Sequence, residues 1–162
     1  MRRDRSHKTS LSYLWLTLGL IIYQISTSLY TFLTPLMGLF FCYVILLKDD
    51  EEKTKEDRPL ESYLAFGYLI FAELNKGFYL FSTIIFFMIF YAVMVDWMRT
   101  AFKCKNCILV AFVASGYFGI YGMNNLLAYV MNESFFVIGW EYGLYILCDS
   151  LIAIIVFRDR LL

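Results

Sequence analysis

A few charged and amide side chains interrupt the apolar stretches of the chain, and these are the groups that could do chemistry. Glu73, Asn75 and Lys76 lie in the mostly apolar and aromatic run from Ser62 to Val95. Glu73 and Lys76 are three residues apart, so they can pair on one helical face or across a tight turn. An unpaired carboxylate in the middle of a bilayer costs about 3 kcal/mol. The stretch is therefore either a hydrated turn, where that cost largely disappears, or an inward-facing polar cluster at the mouth of a cavity.

Three residues near the C-terminus repeat at helical spacing. Glu141, Tyr145 and Asp149 stand at positions i, i+4 and i+8, which places the phenol between two carboxylates on one face of a predicted helix. Asp149 lies eight residues from the cytoplasmic end of that helix, about 12 Å deep, and its side chain is too short to reach the interface. Asp149 is either a functional or interaction site or the partner in an interhelical hydrogen bond.

An amide pair follows a stripe of small residues. Gly116, Gly119 and Gly122 are three apart, and Asn124 and Asn125 follow after one further residue. Small residues let a neighbouring helix approach closely, and amides hydrogen-bond across helices. The pattern favours helix–helix packing, and the alternative is a pocket for a small substrate.

Cysteine and histidine usage argues against catalysis. Cys104 and Cys107 form a CxxC pair, but the sole histidine, His7, lies near the other end of the chain. A zinc site would need two further ligands, so two thiols at a helix start are favoured over a metal or redox site. The sequence contains no Ser/His/acid set and no Gly-rich phosphate loop. We therefore predict a protein that is not an enzyme and has no cofactor and no metal.

The composition indicates which solvent surrounds these residues. Hydrophobic residues make up 60% of the 162 positions, charged residues 17%, and mean hydropathy is +0.63. A soluble domain of this size cannot bury so much apolar surface, so membrane lipid is the predicted surrounding. Fourteen basic and fourteen acidic residues give no net charge, which excludes the basic surface that nucleic-acid binding needs.

Charged blocks divide the chain into three apolar blocks, Leu11–Leu47, Ser62–Val95 and Cys107–Phe157. As single helices the first two would be about 55 and 51 Å long, too long for a hydrocarbon core of about 30 Å, and the third longer still. Each block is therefore predicted to fold back once, which gives an all-α protein of one domain with six short transmembrane helices. The predicted spans are 11–26, 31–47, 60–74, 77–95, 107–129 and 135–157.

The distribution of basic residues gives the predicted orientation. With the N-terminus in the cytoplasm, thirteen of the fourteen Lys and Arg residues lie inside and Lys76 alone lies outside. Both termini are then cytoplasmic, and 48–61 is a charged, solvated cytoplasmic loop that could dock a partner. The basic start and the apolar run after it are predicted to be an uncleaved first span, because no good cleavage site follows.

The layout resembles the bacterial rod shape-determining protein MreD family. Gln24 near the end of the first span, Pro35 eleven residues later and Gly67 in the third span match features of that family, and Glu73 or Asn75 and then Gly77 take the places of its acid and small residue. The resemblance covers Leu11 to about Tyr91. Phe71 and Phe81 depart from the small residues usual there, the acid is shifted by a residue or two, and the 48–61 loop is longer than usual.

The resemblance implies a non-enzymatic subunit of the bacterial inner membrane. Its partners would be an MreC-like bitopic protein, the actin-like MreB, and an elongation synthase complex of a RodA glycosyltransferase and a class B transpeptidase, which together direct side-wall peptidoglycan synthesis. The family's fold is similar to the S-components of vitamin transporters. The alternative function is therefore a small-solute transporter component built around Asn124, Glu141 and Asp149.

Overall fold

The computed structural model describes residues 3–30, 32–54 and 59–157, with side chains from Trp15 onward in those ranges. Every regular element in this part of the chain is a helix, so the all-α prediction is confirmed. The helices are α1 (Arg3–Leu29), α2 (Met37–Thr54), α3 (Pro59–Lys76), α4 (Ser82–Val93), α5 (Val95–Ala101), α6 (Lys105–Met131) and α7 (Glu141–Phe157).

Six of these helices correspond to the six predicted apolar segments. The described chain is not helical at 32–36, 77–81 and 132–140, at or just beyond the predicted gaps between the spans. The polar residues Gln24 and Glu73–Lys76 lie inside α1 and α3 rather than in the turns. The short helix α5 was not predicted; it continues α4 after a bend of 53° at Met94.

The predicted loop at 48–61 is wrong over its first half, because α2 continues to Thr54. Pairs three and four residues apart support this charged helical turn: Lys48 with Glu51 at 2.7 Å and Lys53 with Asp49 at 3.0 Å. Asp49 is buried and also binds Arg99 of α5 at 3.0 Å. Residues 55–58 of the predicted loop lie outside the described residues.

The core lies between α2 and α6, with α3, α4 and α7 around them and α1 resting mainly on α3. Fully buried side chains of the two central helices include Phe41, Ile45, Leu109 and Phe112. A Cβ atom on Gly38 would lie 2.5 Å from the Tyr117 ring, so this glycine is what lets α2 and α6 approach.

Length and composition single out one described helix, α6, as able to cross a membrane by itself. The α4 and α5 pair passes the same test only when its two bent halves count as one span. Other apolar helices are shorter, such as the stretch Trp15–Leu29 of α1.

Candidate functional site

Polar residues of five helices meet at the end of the bundle where the three turns lie. Contacts join the turns at 77–81 and 132–140: the Tyr79 hydroxyl donates to Glu133, and the Phe78 and Phe136 rings lie 5.5 Å apart. Most of the predicted site residues belong to this end, so it is the candidate site.

Gln24 and Pro35, eleven residues apart in sequence, meet at the hydroxyl of Tyr68. The Tyr68 oxygen lies 2.8 Å from Gln24 Oε1 and 2.9 Å from the Pro35 carbonyl, and all three residues are buried. A hydroxyl carries one hydrogen, so both contacts are satisfied when the Gln24 amide turns and donates its NH₂ group to the phenol. Tyr68 thereby ties α1 to α3 and to the chain entering α2.

Asn75 and Lys76 fasten the end of α1. Asn75 Nδ2 donates to the Gln24 carbonyl at 2.6 Å, and Asn75 Oδ1 accepts from the Ser28 hydroxyl. Lys76 Nζ donates to the Thr27 carbonyl at 3.2 Å. The predicted pairing of Lys76 with Glu73 is therefore wrong: backbone carbonyls on α1 take the place of the carboxylate.

Glu73 is fully buried, so it is not part of a hydrated turn. Its Oε1 accepts from the Ser82 hydroxyl at 2.6 Å and from both the backbone and the hydroxyl of Thr83, and its Oε2 accepts from the Phe81 N–H at 3.0 Å. These donors lie at the first turn of α4, where N–H groups have no helical partner. Glu73 therefore caps α4 from α3, and its negative charge lies at the positive end of that helix.

Gly77 has a conformational role. It has a φ of 72° and follows the last residue of α3. The Phe78 N–H donates back to the Glu73 carbonyl at 2.9 Å, as in the left-handed turns that often end helices. Glycine is the residue that adopts this φ without steric cost.

Asp149 is fully buried and accepts a backbone N–H near the start of α2, as Glu73 does at the start of α4. Its Oδ2 accepts from the Tyr117 hydroxyl at 2.7 Å and from the Leu39 N–H at 3.3 Å, near the start of α2. Its Oδ1 has no hydrogen-bond partner among the residues that the structure describes. The phenol that donates to Asp149 is thus Tyr117 of α6. The placement of Tyr145 between Glu141 and Asp149 stays a prediction from their spacing on α7.

Asn124 and Asn125 bind the backbone of the turns at 77–81 and 132–140. Asn124 Oδ1 accepts from the Tyr79 N–H at 2.8 Å, and its buried Nδ2 has no partner within the described ranges. Asn125 exchanges hydrogen bonds with the backbone of Phe136 in both directions. Both amides therefore bind loop backbone, whereas the sequence favoured contacts between helices.

Two cavities adjoin this network. The smaller, of about 170 Å³, lies among the turns and is lined by Lys76 and Glu141 together with Phe78, Tyr117, Tyr142 and Tyr145. The larger, of about 720 Å³, is an apolar groove beside α1; its lining includes Leu20, Phe40, Tyr43, Gly67, Tyr68 and Phe157. Gly67 lies in the middle of α3, and no atom lies within 4 Å of where its Cβ would be.

The CxxC pair lies at the opposite end of α6. Cys104 precedes the helix, and its sulfur accepts from the Cys107 N–H at 3.4 Å; both thiols are exposed. Hydrogen bonds from the Cys107 thiol and backbone lower the pKa of Cys104. No group of His, Cys, Asp or Glu residues within the described ranges could hold a metal ion.

The sequence singled out the carboxylates and amides but missed the hydroxyl groups that bind them. Tyr68 and Tyr117 lie within apolar runs and carry no signal of their own. Ser82 and Thr83 do carry one, because hydroxyl residues directly before an apolar run are typical of a helix start.

The chain matches no protein-family profile, no curated protein and no solved structure.

Proposed function

We propose that the chain is a six-span protein of the bacterial inner membrane and a non-enzymatic, MreD-like scaffold of the cell-elongation machinery. Its partners are an MreC-like bitopic protein and the elongation synthase. Both termini are cytoplasmic, as the distribution of basic residues favours.

Exposed apolar side chains support the membrane assignment. Trp15, Phe32, Val137 and Ile155 are each at least 67% exposed, and they belong to four different parts of the chain. In the most apolar window of α6, only 39% of the residues are buried within the bundle. This apolar surface outside the core supports the proposal of an apolar surrounding.

The observation that carries the scaffold proposal is the arrangement of Gln24, Pro35 and Gly67, the residues on which the resemblance rests. Gln24 and Pro35 meet at Tyr68, and Gly67 and Tyr68 line the same apolar groove. The buried carboxylates Glu73 and Asp149 are engaged by helix starts, which favours a structural over a catalytic use. We place the docking face for the single membrane helix of the MreC-like partner at this groove.

Depletion in a rod-shaped host tests the role. Loss of the protein should give round cells, and the protein should co-purify with a single-span partner. Cells that keep their rod shape after depletion would refute the scaffold role.

A matched pair of glycine variants tests the docking face. A Cβ atom at position 67 would meet no atom within 4 Å, so Gly67→Leu should place a side chain in the groove and lower co-purification of the partner while the protein still folds. Gly122→Leu places the same side chain at another open helical position, on α6, and should leave co-purification unchanged. Equal effects of the two variants would remove the groove from the proposal.

A small-solute transporter component is the second candidate, and the charged small cavity favours it. Cells that overproduce the protein should then accumulate a labelled small solute, and Glu141→Gln should abolish the accumulation. Uptake that does not respond to this variant would exclude transport through this cavity.

A further inference from the structure

The small cavity among the turns has the size of a very small ligand. Its volume of about 170 Å³ is close to that of an engineered cavity of about 150 Å³ that binds benzene. Pockets for drug-sized ligands measure about 300–1,000 Å³. The cavity therefore accommodates a molecule of about six non-hydrogen atoms, well below the size of a vitamin.

The cavity carries one positive and one negative side chain. Lys76 comes from the end of α3 and Glu141 from the start of α7. The two groups attract each other electrostatically, yet among the described residues no ion pair of 4.0 Å or less joins them. Lys76 donates one hydrogen to the Thr27 carbonyl, which fixes its position and leaves two further N–H groups for an acceptor.

Aromatic rings form the walls between the two charges. The Tyr142 ring lies 6.5 Å from that of Tyr117 and 5.7 Å from that of Tyr145, in edge-on arrangements. The faces of such rings attract a cation, and Glu141 itself is exposed. An ammonium group is therefore favoured near Glu141 and the tyrosines, and a carboxylate near Lys76.

We propose that this cavity binds a small zwitterion of the amino-acid class, of about the size of alanine, with its carboxylate on Lys76 and its ammonium on Glu141. The inference adds a ligand class to the second candidate function, and it also stands if the protein is a scaffold that senses such a solute. Because the test measures binding directly, its failure is distinguishable from a failure of transport or of scaffolding.

The test uses the purified full chain in lipid nanodiscs, with glycine, alanine and β-alanine as probes. Alanine should raise the melting temperature and give a saturable calorimetric signal. Acetate and methylammonium, which each carry one of the two charges, and tryptophan, which exceeds the cavity, should do neither.

Variants locate the binding. Lys76→Gln keeps a donor for Thr27 but removes the charge, and Glu141→Gln removes the opposite charge; each should weaken alanine binding at least about tenfold, the loss of one charge-assisted contact. Glu133→Gln, an exposed carboxylate on the neighbouring turn, and Lys103→Met are the controls and should bind as the parent does. Absence of binding by every zwitterion, or binding that survives both cavity variants, would overturn the proposal.

Discussion

At the scale of single residues, the two buried acids show how this chain accommodates charge in apolar surroundings. Glu73 and Asp149 do not find basic partners among the described residues; they bind backbone N–H groups near helix starts, and hydroxyls. These N–H groups need acceptors in any case, because the first turn of a helix has none of its own. One carboxylate thus satisfies several donors that would otherwise be buried and unpaired.

Glu73→Gln should destabilise the protein. The substituted amide offers one acceptor oxygen, and its NH₂ group faces the Ser82, Thr83 and Phe81 donors, so at least one buried donor loses its partner. We expect a loss of about 1–3 kcal/mol in unfolding free energy. Thermal unfolding in detergent measures it.

Glu133→Gln is the control for that substitution, because Glu133 is exposed and its single described bond, to Tyr79, needs only an acceptor. The control should lie within about 0.5 kcal/mol of the parent. A Glu73 variant as stable as this control would show that the cap contributes nothing.

Tyr68→Phe should loosen α1. The substitution keeps the ring and removes the hydroxyl that joins Gln24 to Pro35, leaving buried polar groups unpaired at a cost of about 1–3 kcal/mol. Faster proteolysis within α1 and a lower melting temperature should follow. Tyr63→Phe removes a hydroxyl from the same helix at a position 77% exposed and should change neither. If both variants behave alike, Tyr68 does not hold α1 in place.

At the scale of elements, the sequence predicted six apolar segments and the three turns between them, because runs of apolar residues and clusters of polar ones are local signals. It could not predict that 48–54 is helical. A dense charge run resembles a solvated loop when only neighbouring residues are considered. Residues distant in sequence contribute to the stability of this helical segment: Arg99 binds Asp49, and Tyr91 donates to Glu52 at 2.6 Å.

The three glycines of α6 were predicted to allow a neighbouring helix to approach closely, but the space around each of them differs. A Cβ on Gly116 would lie 3.0 Å from Phe41 and one on Gly119 1.8 Å from Phe86, whereas Gly122 faces open space. The sequence gives equal spacing to all three residues. The packing of α2 and α4 on α6 decides which of these glycines lies under a neighbouring ring. The sequence spacing alone does not predict that packing.

Gly119→Ala and Gly122→Ala should therefore change stability in opposite directions. The Phe86 ring stacks on Phe41 at 5.4 Å and cannot withdraw freely, so Gly119→Ala should cost about 1–3 kcal/mol through overpacking. A Cβ atom at position 122 would meet no atom within 4 Å, so Gly122→Ala should raise the free energy of unfolding by up to about 1 kcal/mol through helix propensity. Paired thermal melts in the same detergent compare them, and a destabilised Gly122 variant would contradict the open position.

At the scale of the whole molecule, the lengths of the helices alone do not decide how many of them cross a membrane. Several helices are shorter than the roughly 20 residues that span an average bilayer, and α4 is bent against α5. Short spans require local thinning of the bilayer or neighbours that cover the helix ends. The polar end of the bundle supplies such cover, since its buried side chains satisfy the helix starts there. The direct test of six spans is therefore topological.

Three single-cysteine proteins should report the topology through a membrane-impermeant maleimide in intact cells. Cys104, which is exposed, and a cysteine placed by Thr54→Cys should both react only after the membrane is permeabilised. A cysteine placed by Ser134→Cys, in the exposed turn between α6 and α7, should react at once. Three long spans would instead expose position 54 to the outside and bury position 134, so labelling of position 54 in intact cells would refute the six-span arrangement.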